Sequence, residues 1–187
     1  EDFTISVENS SLKFDGTATG KIVNGSRTAD FEFTGSMLYA TDGNISLEDG
    51  TEIDLTWEDG NELKLTSTGS EGSIQFTDDG VKITSDDENL AIELSMAYGY
   101  STKVSGLKGS LTYNAGQVTL EEGTSLTGTG TISGNVVDVK LEAQDGDAYL
   151  DFSTADGFKY AAGTGKLKVT YALGDKASTF IVNSGSV

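Results

Sequence analysis

Apolar side chains recur at every second position along most of this chain. In the stretch from Thr51 to Trp57, Ile53, Leu55 and Trp57 share one face, and Glu52, Asp54 and Thr56 the other. Leu63 with Leu65, Ile74 with Phe76, Val81 with Ile83, and Leu90, Ile92, Leu94 and Met96 repeat the pattern. A period of two marks strands buried on one side, because successive side chains leave a strand in opposite directions. No stretch carries the stripe of an amphipathic helix, which repeats every ~3.6 residues. Asp-Gly or Asn-Gly pairs interrupt the alternation at Gly16, Gly25, Gly43, Gly50, Gly60, Gly80, Gly146 and Gly157. Glycine supplies the positive φ that tight turns require. The pattern predicts an all-β chain of antiparallel hairpins.

Parity fixes the loops. For Ile53 and Leu55 to face the same core as Leu63 and Leu65, Leu55 must oppose Leu63 and Ile53 must oppose Leu65. The loop is then Glu58-Asp59-Gly60, with glycine last. The same reasoning sets Ile45 opposite Ile53 around Glu48-Asp49-Gly50, and Phe76 opposite Val81 around Thr77-Asp78-Asp79-Gly80. A one-residue slip turns every inward side chain outward, so these registers are strongly specified. Carried through residues 107–185, the argument gives an antiparallel meander packed as a β-sandwich-like or duplicated β architecture. A parallel β-solenoid is the alternative, suggested by Thr124 to Asn135, and the hairpin parity over residues 43–83 argues against it.

Two stretches of the chain resemble each other. Gly43-Asn44-Ile45-Ser46-Leu47-Glu48-Asp49-Gly50-Thr51 matches Gly116-Gln117-Val118-Thr119-Leu120-Glu121-Glu122-Gly123-Thr124. Glu62-Leu63-Lys64-Leu65 matches Asp138-Val139-Lys140-Leu141, and Gly80-Val81-Lys82-Ile83 matches Gly157-Phe158-Lys159-Tyr160. The expected organisation is an N-terminal partial copy over residues 1–34, a first repeat over 35–106 and a second over 109–187. Each unit would bury its apolar face against the next.

Composition narrows the chemistry. Among 187 residues there is no histidine, cysteine or proline. That excludes a Ser-His-Asp triad, a cysteine nucleophile, a disulfide framework and an ordinary zinc site. Thirty acidic residues against twelve basic ones give a net charge of −18, which repels phosphate backbones and makes nucleic acid a poor partner. No apolar run is long enough for a membrane-spanning helix. The start at Glu1, without methionine, reads as a processed or trimmed chain. Acidity, abundant Thr, Ser and Gly, and the lack of thiols point to the extracellular side.

Candidate sites are few. Asp78, Asp79, Asp86, Asp87 and Glu88 could gather oxygens around calcium; no other cofactor is expected. Tyr98 and Tyr100 flank Gly99 in an expected turn and could stack on sugar rings. Trp57 continues the apolar face of Ile53 and Leu55 and is expected in the core. Glu52, Asp54 and Glu62 share an outward strand face, but glycoside hydrolysis needs a carboxyl with raised pKa in an enclosed cleft. Thr127, Thr129 and Thr131 form a short row of threonines. No enzymatic activity is expected.

Phe3, Ile5 and Val7 alternate outside the first full repeat. Such a segment can fill a sheet edge in its own chain or in another molecule, as donor strands do. Taken together, the short Gly-Thr-Ser-rich strands, Asp-Gly turns, acidity and repetition resemble repetitive bacterial surface proteins: adhesin stalk modules, surface-layer-like proteins and extracellular fibre subunits. The resemblance is compositional and covers the whole chain. It implies a secreted structural or adhesive role, with self-association through the N-terminal strand. The alternative is a carbohydrate- or calcium-binding β module of a surface adhesin, with a glycan or host surface as its partner.

Overall fold

The computed structural model describes residues 3–24, 26–67, 72–86, 91–95, 101–132, 135–151, 159–161 and 165–183. Every regular element among them is a strand, and every pairing is antiparallel. The solenoid alternative is therefore overturned, because its strands would run parallel. No helix among the described residues is long and apolar enough to cross a membrane.

The chain begins with β1 (Phe3–Glu8) and two long strands, β2 (Ser11–Asn24) and β3 (Arg27–Tyr39). Then come β4 (Ile45–Leu47), β5 (Glu52–Trp57), β6 (Glu62–Thr66), β7 (Gly72–Thr77), β8 (Gly80–Ser85) and β9 (Ala91–Ser95). A third long strand, β10 (Ser101–Asn114), leads into β11 (Gln117–Leu120), β12 (Ser125–Ile132), β13 (Asn135–Gln144) and β14 (Ala148–Asp151). The last three are β15 (Lys159–Ala161), β16 (Lys166–Leu173) and β17 (Lys176–Asn183).

The long strands organise the fold. The first half of β3 pairs with β5 and its second half with β4. β10 likewise pairs with β9 through its first half and with β8 through its second. The ring β3–β5–β6–β9–β10–β8–β7–β4 closes on itself as a flattened barrel. One layer holds β5, β6 and β9, and the other β4, β7 and β8. Beyond the barrel, β10 carries β12, β13, β16 and β17 in the first layer and β11, β14 and β15 in the second.

The registers at Leu55↔Leu63, Ile53↔Leu65 and Phe76↔Val81 follow parity. The expected pairing of Ile45 with Ile53 is wrong. Ile45 pairs with Tyr39 and Ile74 instead, because the chain changes layer between β4 and β5. The simple meander fails at the same place. At that turn Glu48 N–H donates to the Ser36 carbonyl (3.0 Å) and Gly50 N–H to the Ser67 carbonyl (2.9 Å). The matched turn repeats both bonds, from Glu121 N–H to Ser110 (3.1 Å) and from Gly123 N–H to Ala143 (2.9 Å).

Glycine is required where β3 and β10 switch layers. Gly35 has φ +122° and Gly109 φ +108°. A Cβ at Gly35 would lie 2.7 Å from Thr51 Oγ1, and one at Gly109 2.5 Å from Thr124 Oγ1. The joint expected at residues 106–109 falls inside β10, which serves both halves of the molecule.

The core runs between the layers without a break. In the barrel it contains Phe33, Ile53, Leu55, Leu63, Leu65, Ile83 and Ile92, and beyond it Leu107, Leu120, Leu126, Leu150 and Leu167. Each such side chain contributes roughly 1.5–3 kcal/mol on full burial.

Candidate assembly surface and polar grooves

β1 is the outermost strand of the second layer. Among the described residues it pairs only with β2, with Ile5 opposite Phe14 and Val7 opposite Leu12. Those partners oppose Met37 and Tyr39 of β3. The inward face of the layer therefore continues past the barrel, through Phe14 and Met37, onto Phe3, Ile5 and Val7. Phe14 and Met37 still pack on the core, and the Phe3 ring stacks on Phe14 at 6.0 Å. Phe3, Ile5 and Val7 themselves are 36%, 59% and 75% exposed.

The β7–β8 hairpin shows what such a face does when covered. Ile83 opposes Leu111 and Val81 opposes Tyr113 in β10, the places that Phe14–Met37 and Leu12–Tyr39 hold in β2–β3. Val81, Ile83, Leu111 and Tyr113 are all buried beneath the first layer. The β1–β2 hairpin has the same alternation, and its Phe3, Ile5, Val7 and Leu12 are exposed. Lys13 fastens β2 from its outer side. Its ammonium donates to Glu48 at 2.9 Å and lies 3.7 Å from Glu8. That bond holds the Glu48 carboxyl below, and the Lys13 ammonium above, their usual pKa.

A polar recess of about 410 Å³ lies on the outer face of the second layer. Asp78, Asp79, Thr112, Glu121, Asp147 and Tyr149 help to line it. Its acids are partly engaged: Glu121 accepts from Lys82 (2.5 Å) and Asp147 from the Glu122 N–H (2.9 Å). Burial, then Asp151, raises the Tyr149 phenol pKa, and Arg27 opposes them. Sequence reasoning missed Glu121, Asp147 and Tyr149. The non-local pairing Leu120↔Ala148 unites them, and nothing in the local pattern announces it.

A smaller cavity, about 160 Å³, opens at the barrel mouth between Ile22, Ala29, Leu55, Trp57, Phe76 and Arg27. Trp57 is core, as its alternation requires, and meets Tyr113 edge-on at 5.3 Å. Arg27, the only arginine, donates to both the Asn114 carbonyl and its side-chain oxygen at 3.2 Å. It clasps the β2–β3 end to β10.

Of the calcium candidates, Asp78 and Asp79 are not brought together with Asp86. Asp78 and Asp79 sit in the β7–β8 turn, while Asp86 follows the far end of β8. Six residues at about 3.3 Å each put roughly 20 Å between them. Asp87 and Glu88, like Tyr98 and Tyr100, lie outside the described residues. Among the described residues no three acidic side chains form a metal-ligating group. Asp54 lies on an open sheet face beside Glu62. Burial, then the Glu62 charge, raises its pKa, and Lys64 opposes them. Comparison with protein-family models, with curated proteins and with solved structures finds no match for this chain.

Proposed function

We propose that this chain is a secreted structural or adhesive surface protein, a subunit of an extracellular filament or an adhesin module, that assembles by β-strand addition of its N-terminal segment. One observation carries the reading: among the described residues no strand pairs the outer edge of β1, and its apolar row of Phe3, Ile5 and Val7 continues the core face into solvent. An added strand would gain main-chain hydrogen bonds along β1 and cover that row. The charge of −18 fits this role, since it suppresses non-specific clumping and leaves a specific edge as the route to association. The test is to delete residues 1–10 and compare assembly by negative-stain microscopy. The truncated protein is expected to stay folded and monomeric. Polymerisation at the full-length rate overturns the reading.

A second reading, a glycan- or calcium-binding adhesin module, is supported by the polar recess beside Tyr149. A glycan array and calcium titration calorimetry test it. A protein silent in both is structural only.

A further inference from the structure

We infer that copies of this chain join head to tail through a lapped joint, in which β16–β17 of one copy covers β1–β2 of the next. This inference rests on the assembly reading above and names the surface that receives the N-terminal strands.

The two ends of the molecule are complementary. At one end the second layer projects, and its inward-facing Phe3, Ile5 and Val7 are exposed. At the other end, among the described residues, the first layer carries four strands past β10 and the second three. There Tyr171 and Leu173 continue the inward face that Leu167 and Val169 begin, and they are 39% and 51% exposed. Laid over each other, the two projections restore the double layer that buries Val81 and Ile83 inside the barrel. Each projection supplies what the other lacks.

The free edges also match. Among the described residues β17, eight residues long, pairs only with β16. Among the described residues β1 pairs with β2 only from Ser11 to Gly16, and no other strand pairs the outer edge of Thr17–Asn24, a stretch of the same length. Strand polarity permits the union. Following the antiparallel pairings through both layers, β17 and β2 run in opposite directions, as do β15 and β1, when successive copies keep one orientation. Both layers therefore continue as antiparallel sheet across the joint. Val182 of β17 and Ala18 and Ile22 of β2 are partly buried against their own core, so pairing them on the inward face extends one hydrophobic layer through the joint. The contact is heterologous. It does not close on itself, and it yields a filament rather than a dimer.

Two exposed substitutions test this. Ile5→Lys charges one projection and Leu173→Lys the other, and neither side chain is buried in the monomer. Circular dichroism checks the fold of each variant. Wild-type protein, concentrated in high salt, should give filaments, and each variant alone should give none. An equimolar mixture should give a discrete species of twice the 19.6 kDa monomer mass, because each variant retains one good end. If Ile5→Lys blocks assembly and Leu173→Lys does not, the lapped joint is overturned while N-terminal assembly stands. A wild-type protein that stays monomeric at millimolar concentration in high salt overturns both.

Discussion

The hydroxyl of Thr51 donates to the Ser36 carbonyl at 2.8 Å and accepts from the Ser36 N–H at 3.0 Å. Both residues are buried. Thr124 and Ser110 repeat the arrangement at 3.1 and 3.0 Å. One hydroxyl thus satisfies the backbone where a long strand bends between layers, and it does so twice. Thr51→Val removes it and strands a buried N–H, at a cost of about 1–3 kcal/mol. Thr124→Val should cost a similar amount, and Thr→Ser at either position should restore most of it. Urea unfolding measures all four. Unequal losses at the two sites would mean that the corners are not energetically equivalent.

Gly35→Ala and Gly109→Ala should be worse. Each adds a Cβ against a threonine backbone at 2.8 Å and forces alanine into positive φ. A loss of about 2–4 kcal/mol per site is expected. Gly20→Ala, in β2, has open space around the new carbon and serves as the control, with a change near zero.

Tyr113 is fully buried, and its hydroxyl finds no hydrogen-bond partner of good geometry. Burial drives its phenol pKa far upward, with the Gly116 N–H pulling the other way. In the unfolded chain the phenol ionises near its ordinary value of about 10. The unfolded state therefore sheds this proton first as pH rises. The linked stability is complete below about pH 10 and is lost progressively above it. Tyr113→Phe should be neutral or slightly stabilising at pH 7, and should flatten the alkaline decline in melting temperature. An unchanged decline would show that other groups cause it.

Asp54 keeps one carboxylate oxygen buried and unpaired. Its raised pKa means that folding disfavours the ionised form, so the penalty is absent at low pH and appears as pH rises past about 4. Asp54→Asn should raise stability at pH 7 by a few tenths of a kcal/mol, modest because the site is only partly enclosed. The gain should vanish at pH 3. A gain that persists there would point to packing rather than charge.

Much of this architecture is legible in the alternation alone. Ile53, Leu55, Leu63 and Leu65 fix both their face and their register, because a short loop leaves one parity open. What parity does not reveal is a change of layer. Ile45 faces the core as its pattern requires, yet the chain departs through Glu48-Asp49-Gly50 to the opposite sheet, and its partners become Tyr39 and Ile74. The signal was present in β10. Between Val104 and Leu111 the period of two breaks at Gly106 and Gly109, where the structure has a bulge and a positive φ. The exposed row at Phe3, Ile5 and Val7 was legible as a strand, but its exposure depends on residues far away in sequence. The polar recess was not legible, because Glu121 and Tyr149 meet only through a non-local ladder.

Hydrogen-bonded on both edges, in both layers, β10 belongs to neither half alone. To melt, one half must give up a wall that the other still needs. The molecule therefore has no seam along which to come apart in stages, and heating should erase it in a single cooperative calorimetric transition rather than as two beads on a string.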